Sequence, residues 1–244
     1  MSTVHFVLQG KGGVGKSLIA SLLYQYLYQQ GRAVTGVDTD PVNATFAGYK
    51  ELSVQVLNIM EGDDIDQRRF DSLMEIILQQ PEESHIVIDN GASTFLPLCS
   101  YLKDNAALDL LDQEGHAVLL HTVMTGGQAV VDTASGLKTL ATSFPSSSIV
   151  VWLNRYFGEI AMNGKAFKDF KVYQEHLDQF RSIIEVPSRK QSTFGKDLES
   201  LLSRRETFET AIHSNLPVMV RQRLKTFWAE VSQEVAKAQL VEVV

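Results

Sequence analysis

Gly10-Lys11-Gly12-Gly13-Val14-Gly15-Lys16-Ser17 is the stretch whose reading decides the fold. It satisfies the pattern G-x-x-x-x-G-K-[ST] and stands between an apolar strand-like run, residues 4–9, and a segment of helical period, residues 16–30. A strand, this loop and then a helix is the context in which the pattern binds phosphate. The glycines admit torsions that turn successive N–H groups onto phosphate oxygens, and the helix adds the positive end of its dipole. Lys16 is expected to neutralise the β- and γ-phosphates of a nucleotide. Ser17 is expected to bind Mg2+ through its hydroxyl, because that ion keeps an octahedral shell with few protein oxygens. Leu18, next in the chain, closes the set of expected nucleotide-binding residues that begins at Gly10.

Outward from this loop, apolar runs of strand length at 4–9, 33–38, 85–89, 117–122, 148–154 and 183–186 alternate with helical-period segments at 16–30, 71–80, 127–143 and 165–181. That alternation predicts an α/β fold, a mostly parallel sheet sandwiched by helices. Beyond Pro187 the strand pattern stops and two helical stretches follow, 193–203 and 216–240. The last carries Val220, Leu224, Phe227, Val231 and Val235 on one face, expected to pack on the sheet. A membrane or partner helix is the alternative, weakened by Glu230 and Glu234 among its cations. Residues 50–69 are the least regular, and their acids Glu61, Asp63, Asp64 and Asp66 read as a solvated loop rather than a metal site. With no repeat or linker, residues 1–244 read as one domain.

Composition narrows the class. Hydrophobic residues at 44% and charged residues at 21% fit an ordinary globular chain. The formal charge, 22 − 29 = −7, disfavours indiscriminate capture by nucleic acid. Cys99 is the only cysteine, which rules out an intramolecular disulfide and a metal site of several thiolates within one subunit. No export signal opens the chain and no apolar run reaches the ~18 residues of a membrane-spanning helix, so a cytoplasmic location is expected. His116 and His121 lack a nucleophile or metal partner in the sequence and are assigned to structure, and Trp152 and Trp228 to the core.

Two further segments carry acids to strand ends. Val37-Asp38-Thr39-Asp40-Pro41 would be only a turn signal by itself, and Ile86-Val87-Ile88-Asp89-Asn90-Gly91 ends an apolar run in a carboxylate. With its second lysine at Lys11, the segment KGGVGKS resembles the deviant Walker A motif of the ParA/MinD family of ATPases. The resemblance implies a P-loop NTPase fold and an ATP-sandwiched homodimer in which Lys11 reaches the partner's phosphates. It makes Lys11, Lys16 and Asp40 catalytic, with Asp40 orienting the attacking water. It assigns the metal to Ser17, Asp38 and Asp89, with Asp89 as Walker B and Gly91 in the second switch. Asn90 departs from the proline-bearing form usual in the family. Val150-Val151-Trp152-Leu153-Asn154-Arg155 resembles the strand whose terminal asparagine contacts adenine, and Glu185-Val186-Pro187 the segment flanking the base. Asn154, Arg155 and Pro187 are therefore implied nucleotide contacts. No N-K-x-D signature is evident, so ATP is preferred to GTP.

Within the family, GGQAVVDTASGLKTL at 126–140, the chain length and the early loop look similar to TraL-like proteins of conjugative plasmids. That branch implies ATP-driven dimers acting in plasmid transfer, maintenance or positioning, with slow turnover stimulated by an unidentified protein partner. A metal-cluster carrier of this fold would need a Cys-x-x-Cys pair, and Cys99 stands alone. A membrane-targeted relative would need an amphipathic C-terminal helix, and the tail 241–244 is too short and too acidic. A non-catalytic ATP-binding switch or scaffold is opposed by Lys11 and Asp40. A DNA-binding partition ATPase would use Arg189, Lys190, Arg204, Arg205, Arg221, Arg223 and Lys225, a reading the net charge disfavours.

Overall fold

Strands that are buried on both faces should read as near-continuous apolar runs, and the central ones here do, interrupted by a few histidines, threonines and serines. The computed structural model describes residues 1–240, so the tail 241–244 and the reading placed on it lie outside the described residues. The strands are β1 (Ser2–Val7), β2 (Val34–Asp38), β3 (Val54–Val56), β4 (Met60–Glu61), β5 (Asp64–Ile65), β6 (His85–Asp89), β7 (His116–Thr125), β8 (Ser148–Asn154), β9 (Ala161–Met162), β10 (Lys165–Ala166) and β11 (Phe180–Val186). Seven of them form one parallel sheet in the order β11-β8-β7-β1-β6-β2-β3. The β4–β5 and β9–β10 pairs are small antiparallel hairpins outside it.

Strand alternation sorts side chains into two cores. Val4, Phe6, Ile86, Ile88, Leu120 and Val151 face one side, under α2 (Phe70–Leu78), α3 (Phe95–Asp104), α4 (Ala107–Gln113) and α5 (Val130–Ser143). Val7, Val87, Leu119, Val150 and Trp152 face the other, under α1 (Lys16–Gln29) and the C-terminal helices. Those are α7 (Lys196–Arg204), α8 (Phe208–Ile212) and α9 (Val218–Lys237), and the short α6 (Lys171–His176) packs on the α5 side. Of the expected α9 stripe, Leu224, Phe227, Val231 and Val235 are buried and Val220 is half-buried, so the packed alternative holds. Among the described residues no helix is long and apolar enough to cross a membrane.

Of the expected helix 165–181 only α6 (Lys171–His176) forms as α-helix, with a 3-10 turn on either side. Lys165–Ala166 pair with Ala161–Met162, Phe170 is extended at φ −70 and ψ 141, and β11 already begins at Phe180. The three-residue spacing of Phe167, Phe170 and Tyr173 fits a helical face; these rings instead meet in T-shaped, edge-to-face contacts, with Phe180 added to the cluster. Helices α3, α4 and α8 fall in segments where no helix was expected. In α3, Pro97 lies within the first turn, where a missing N–H breaks no intrahelical bond.

A polar row crosses the core on the α1 side. The Trp152 indole N–H donates to His121 Nδ1 at 3.0 Å, His121 Nε2 lies 2.9 Å from His5 Nδ1, and His5 Nε2 lies 3.0 Å from His85 Nδ1. An indole only donates, so His121 Nδ1 accepts, its Nε2–H donates to His5, and the His5 Nε2–H donates to His85. Burial holds all three rings neutral: it lowers His5 well below the ordinary value, His85 to about 4 and His121 to about 3. His116 pairs separately with the Ser2 hydroxyl at 2.5 Å. The assignment of His116 and His121 to structure matches these contacts.

Candidate functional site

The carboxyl ends of parallel strands form one rim, where open α/β sheets take their ligands. Register brings the acids together there: Val7 pairs with Asp89 and Asp89 with Asp38. The loop after β1 turns over this rim. Gly13 has φ 73 and Gly15 φ 105, torsions that disfavour any side chain. A Cβ on Gly15 would also stand 2.8 Å from Asn154 Nδ2. Below the loop lies a cleft of about 550 Å3. Its walls are Gly12, Gly13, Gly15, Lys16, Ser17 and Leu18 on one side, Asp40, Val42, Asn43 and Thr45 on the second, and Ala92 and Ser93 on the third.

Lys16 is buried, and its ammonium donates to the Lys11 carbonyl at 3.2 Å. Burial lowers its pKa, against the opposite pull of Asp89 and Asp40. Asp89 is only 1% exposed, and neither carboxylate oxygen has a hydrogen-bond partner. Burial raises Asp89 to about 7, opposed by the Ser17 hydroxyl and the Lys16 ammonium and assisted by Asp38 and Asp40. A buried carboxylate without partners is costly unless a cation or donor satisfies it. The donor set of the buried Asp89 carboxylate and the Ser17 hydroxyl, which lines the cleft, fits Mg2+, a hard ion that takes few protein oxygens.

Asp38 is spent differently. Its Oδ1 accepts from Asp40 N–H at 3.0 Å and its Oδ2 from Ala47 N–H at 2.9 Å, so it shapes the loop after β2. Burial still raises its pKa. Asp40 Oδ1 accepts from Val42 N–H at 2.9 Å and Asn43 N–H at 3.1 Å, which leaves its side chain in the cleft wall. Gly91 packs on it closely enough that an added Cβ would stand 3.0 Å from Asp40 Cγ.

Other expected site residues lie outside the cleft. The Lys11 ammonium pairs with Asp132 on α5 at 2.8 Å. Asn154 Nδ2–H donates to the Val14 carbonyl at 2.9 Å while its Oδ1 accepts from Tyr156 N–H at 3.1 Å, so the amide braces the glycine loop. Arg155 pairs with Glu185 at 3.3 Å beside a separate cavity of about 680 Å3, and half-buried Pro187 follows β11 at that edge of the sheet. Of the basic residues, Arg189 pairs with Glu230, Arg204 with Glu206 at 3.1 Å and Arg223 with Asp197 at 2.6 Å. Among the described residues, Lys190, Arg205 and Lys225 make no ion pair. The acids at 61–66 surround Arg68, which pairs with Asp66 at 3.2 Å and Glu61 at 3.5 Å.

Sequence reasoning missed Asp132 as the neighbour of Lys11, although Asp132 lies within the quoted stretch 126–140. It also missed Thr39 and Thr94, which meet at Asn90. The departure of Asn90 from the commoner form was the one available signal.

Residues 5–235 match the sequence model described as the CobQ/CobB/MinD/ParA nucleotide binding domain. The chain is 49% identical over 227 residues to a protein TraL of Escherichia coli, covering 92% of this chain and 93% of that relative. A chain of the MinC:MinD cell division protein complex from Aquifex aeolicus superposes with a TM-score of 0.58 at 14% identity, covering 99% of this chain and 97% of that one. The septum site-determining protein MinD of Pyrococcus horikoshii OT3, complexed with Mg-ADP, superposes with a TM-score of 0.52 at 13% identity, covering 98% and 99%. At such identities the structural likeness establishes the shared fold.

Proposed function

The chain belongs to the CobQ/CobB/MinD/ParA family of nucleotide-binding domains, and from that premise we propose that it is a cytoplasmic Mg2+-ATP-dependent ATPase switch. In this reading residues 1–244 act as one domain that dimerises on ATP and serves plasmid transfer, partition or positioning through a partner protein. The observation that carries the nucleotide reading is Asp89: a buried carboxylate whose oxygens lack a hydrogen bond of regular geometry, acted on by the Ser17 hydroxyl and the Lys16 ammonium under a glycine loop. The Mg-ADP complex of the Pyrococcus MinD supports nucleotide and metal together, the MinC:MinD complex supports a protein partner, and the TraL relative supports the plasmid setting.

The backbone N–H groups of residues 10–15 and the Lys16 ammonium bind the phosphates and hold their charge in place. Ser17 and Asp89 would hold Mg2+, with Asp38 in support, and a bound ion would supply neutralisation of the phosphate charge. Asp40 orients the attacking water from the cleft wall. Lys11 leaves Asp132 and reaches the phosphates of the partner copy as a point charge in trans. By the family resemblance Asn154, Arg155 and Pro187 would contact the base, for which the Asn154 amide would have to leave the Val14 carbonyl. The non-catalytic reading is opposed by the Asp40 seat, and the DNA-binding reading by the acids paired with Arg189, Arg204 and Arg223.

The test is the solution mass by light scattering with Mg2+-ADP, Mg2+-ATP and a non-hydrolysable analogue, beside a Lys11→Ala control. A dimer formed with the triphosphates alone, and not by Lys11→Ala, is the expected result. A mass indifferent to nucleotide overturns the sandwich dimer while leaving the phosphate site standing.

A further inference from the structure

Two loops frame the γ-phosphate side of the cleft: the one after β2, carrying Asp40, and the one between β6 and α3, carrying Gly91, Ala92 and Ser93. Between them, fully buried, sit three polar side chains, Thr39, Asn90 and Thr94. The Thr39 hydroxyl lies 3.0 Å from Asn90 Oδ1 and the Thr94 hydroxyl 2.6 Å from the same atom. The carboxamide is held in turn by its own Nδ2–H, which donates to the Gly91 carbonyl at 3.2 Å. One oxygen therefore receives both loops.

We propose that Asn90 is a positioning residue that couples these two loops, so that the seat of Asp40 follows the position of residues 91–94. Asn90 touches no reacting atom; it acts through Thr39, whose chain neighbours are Asp38 and Asp40, and through Gly91, against which Asp40 packs. The inference rests on the reading of the cleft as a nucleotide site.

The hydrogen-bond arithmetic gives the joint two arrangements. A threonine hydroxyl has one proton to donate, and each of these has two acceptors within reach. Thr39 faces Asn90 Oδ1 and, at 3.1 Å, the Asp89 carbonyl; Thr94 faces Asn90 Oδ1 and, at 2.9 Å, the Gly91 carbonyl. With both protons on Asn90 the loops are clasped together. With either proton turned to its backbone carbonyl, the loops part without leaving a buried hydroxyl unpaired. Switching elements require two such arrangements of similar energy.

The same arithmetic makes the proposal testable without unfolding the protein. In Asn90→Ala each threonine still has its carbonyl, so no buried hydroxyl is orphaned and the fold is retained. Hydrogen–deuterium exchange would be followed with and without Mg2+-AMPPNP, alongside Mg2+-ADP affinity and hydrolysis of ATP. In the wild-type chain, amides 39–48 and 90–95 are expected to gain protection together. In Asn90→Ala, 90–95 respond and 39–48 do not, while kcat falls about tenfold or more and Mg2+-ADP affinity holds within about threefold, as for misplacement of a reacting group. Thr94→Val, which removes one arm of the joint and leaves Asn90, is expected to act in the same direction and to add nothing in the Asn90→Ala background. It carries the test should Asn90→Ala fail to fold. Joint protection and turnover unchanged in both variants overturn the coupling alone. No nucleotide response in the wild-type chain overturns the nucleotide reading and the coupling with it.

Discussion

At the scale of single residues, the cleft separates binding from turnover. Lys16→Ala removes the one lysine that is buried among the described residues, and nucleotide binding is expected to be lost, as read by calorimetry with Mg2+-ADP. Asp40→Ala leaves the glycine loop, Lys16 and Ser17 intact, so ATP still binds while hydrolysis falls by about a hundredfold or more; normal hydrolysis in that variant would remove Asp40 from its assigned role. Gly91→Ala is the subtler case. Its new methyl would stand 3.0 Å from Asp40 Cγ and 3.2 Å from Asp40 Cα, so Asp40 must shift. The outcome expected from single-turnover kinetics is a lowered chemical rate with nearly unchanged nucleotide affinity. That Lys16, Ser17, Asp40 and Asp89 gather at one end of the sheet was legible because a glycine loop and strand-end acids are written locally, in spacing. Asn90 with Thr39 was not: their contact joins residues 51 apart, and no periodicity encodes a hydrogen bond between two loops.

At the scale of elements, the histidines of β1, β6 and β7 set a pH dependence. The folded rings are held neutral while unfolded ones titrate near 6.5, so the unfolded chain binds more protons below that value. Their stabilising contribution is complete above pH 6.5 and is lost as pH falls toward about 4 for His85 and about 3 for His121. Asp89 runs the other way: raised from 3.8 to about 7, it favours the fold below 3.8 and ceases to do so as pH rises through 7. Denaturant midpoints of His121→Phe against the wild-type chain separate the two. The variant is expected to be less stable at pH 8 by about 1–3 kcal/mol, because the Trp152 N–H and His5 Nδ1 lose their partner. Its midpoint should then fall less between pH 7 and pH 5. The alternation of elements was legible where burial on both sheet faces forces apolar runs. The 165–181 segment was not, because Phe167, Phe170 and Tyr173 satisfy a helical spacing and a ring cluster equally well.

At the scale of the whole molecule, the Lys11–Asp132 pair would oppose assembly of the proposed dimer. A lysine engaged with α5 must leave it before it reaches a second copy, so Asp132→Asn is expected to favour the ATP-dependent dimer. The pair is half-exposed, with side-chain exposures of 44% and 52%, and such contacts contribute about 0–1 kcal/mol. Each dimer would release two such pairs, so its dissociation constant, measured by sedimentation at fixed Mg2+-ATP, should tighten by no more than about thirtyfold, and the gain should shrink at high salt. The row from Trp152 to His85 has a consequence of another kind, for assembly of the sheet itself. Its donors point one way, from β8 through β7 and β1 to β6, and each link joins residues two positions off direct pairing. A sheet with any two of these strands exchanged, or slipped by one residue, would bury imidazoles with nothing to accept from or donate to. The apolar residues on the same strands are interchangeable enough to tolerate such an error. The four polar rings are not, and they make the native strand order the one arrangement in which the centre of the sheet closes without a mispaired group.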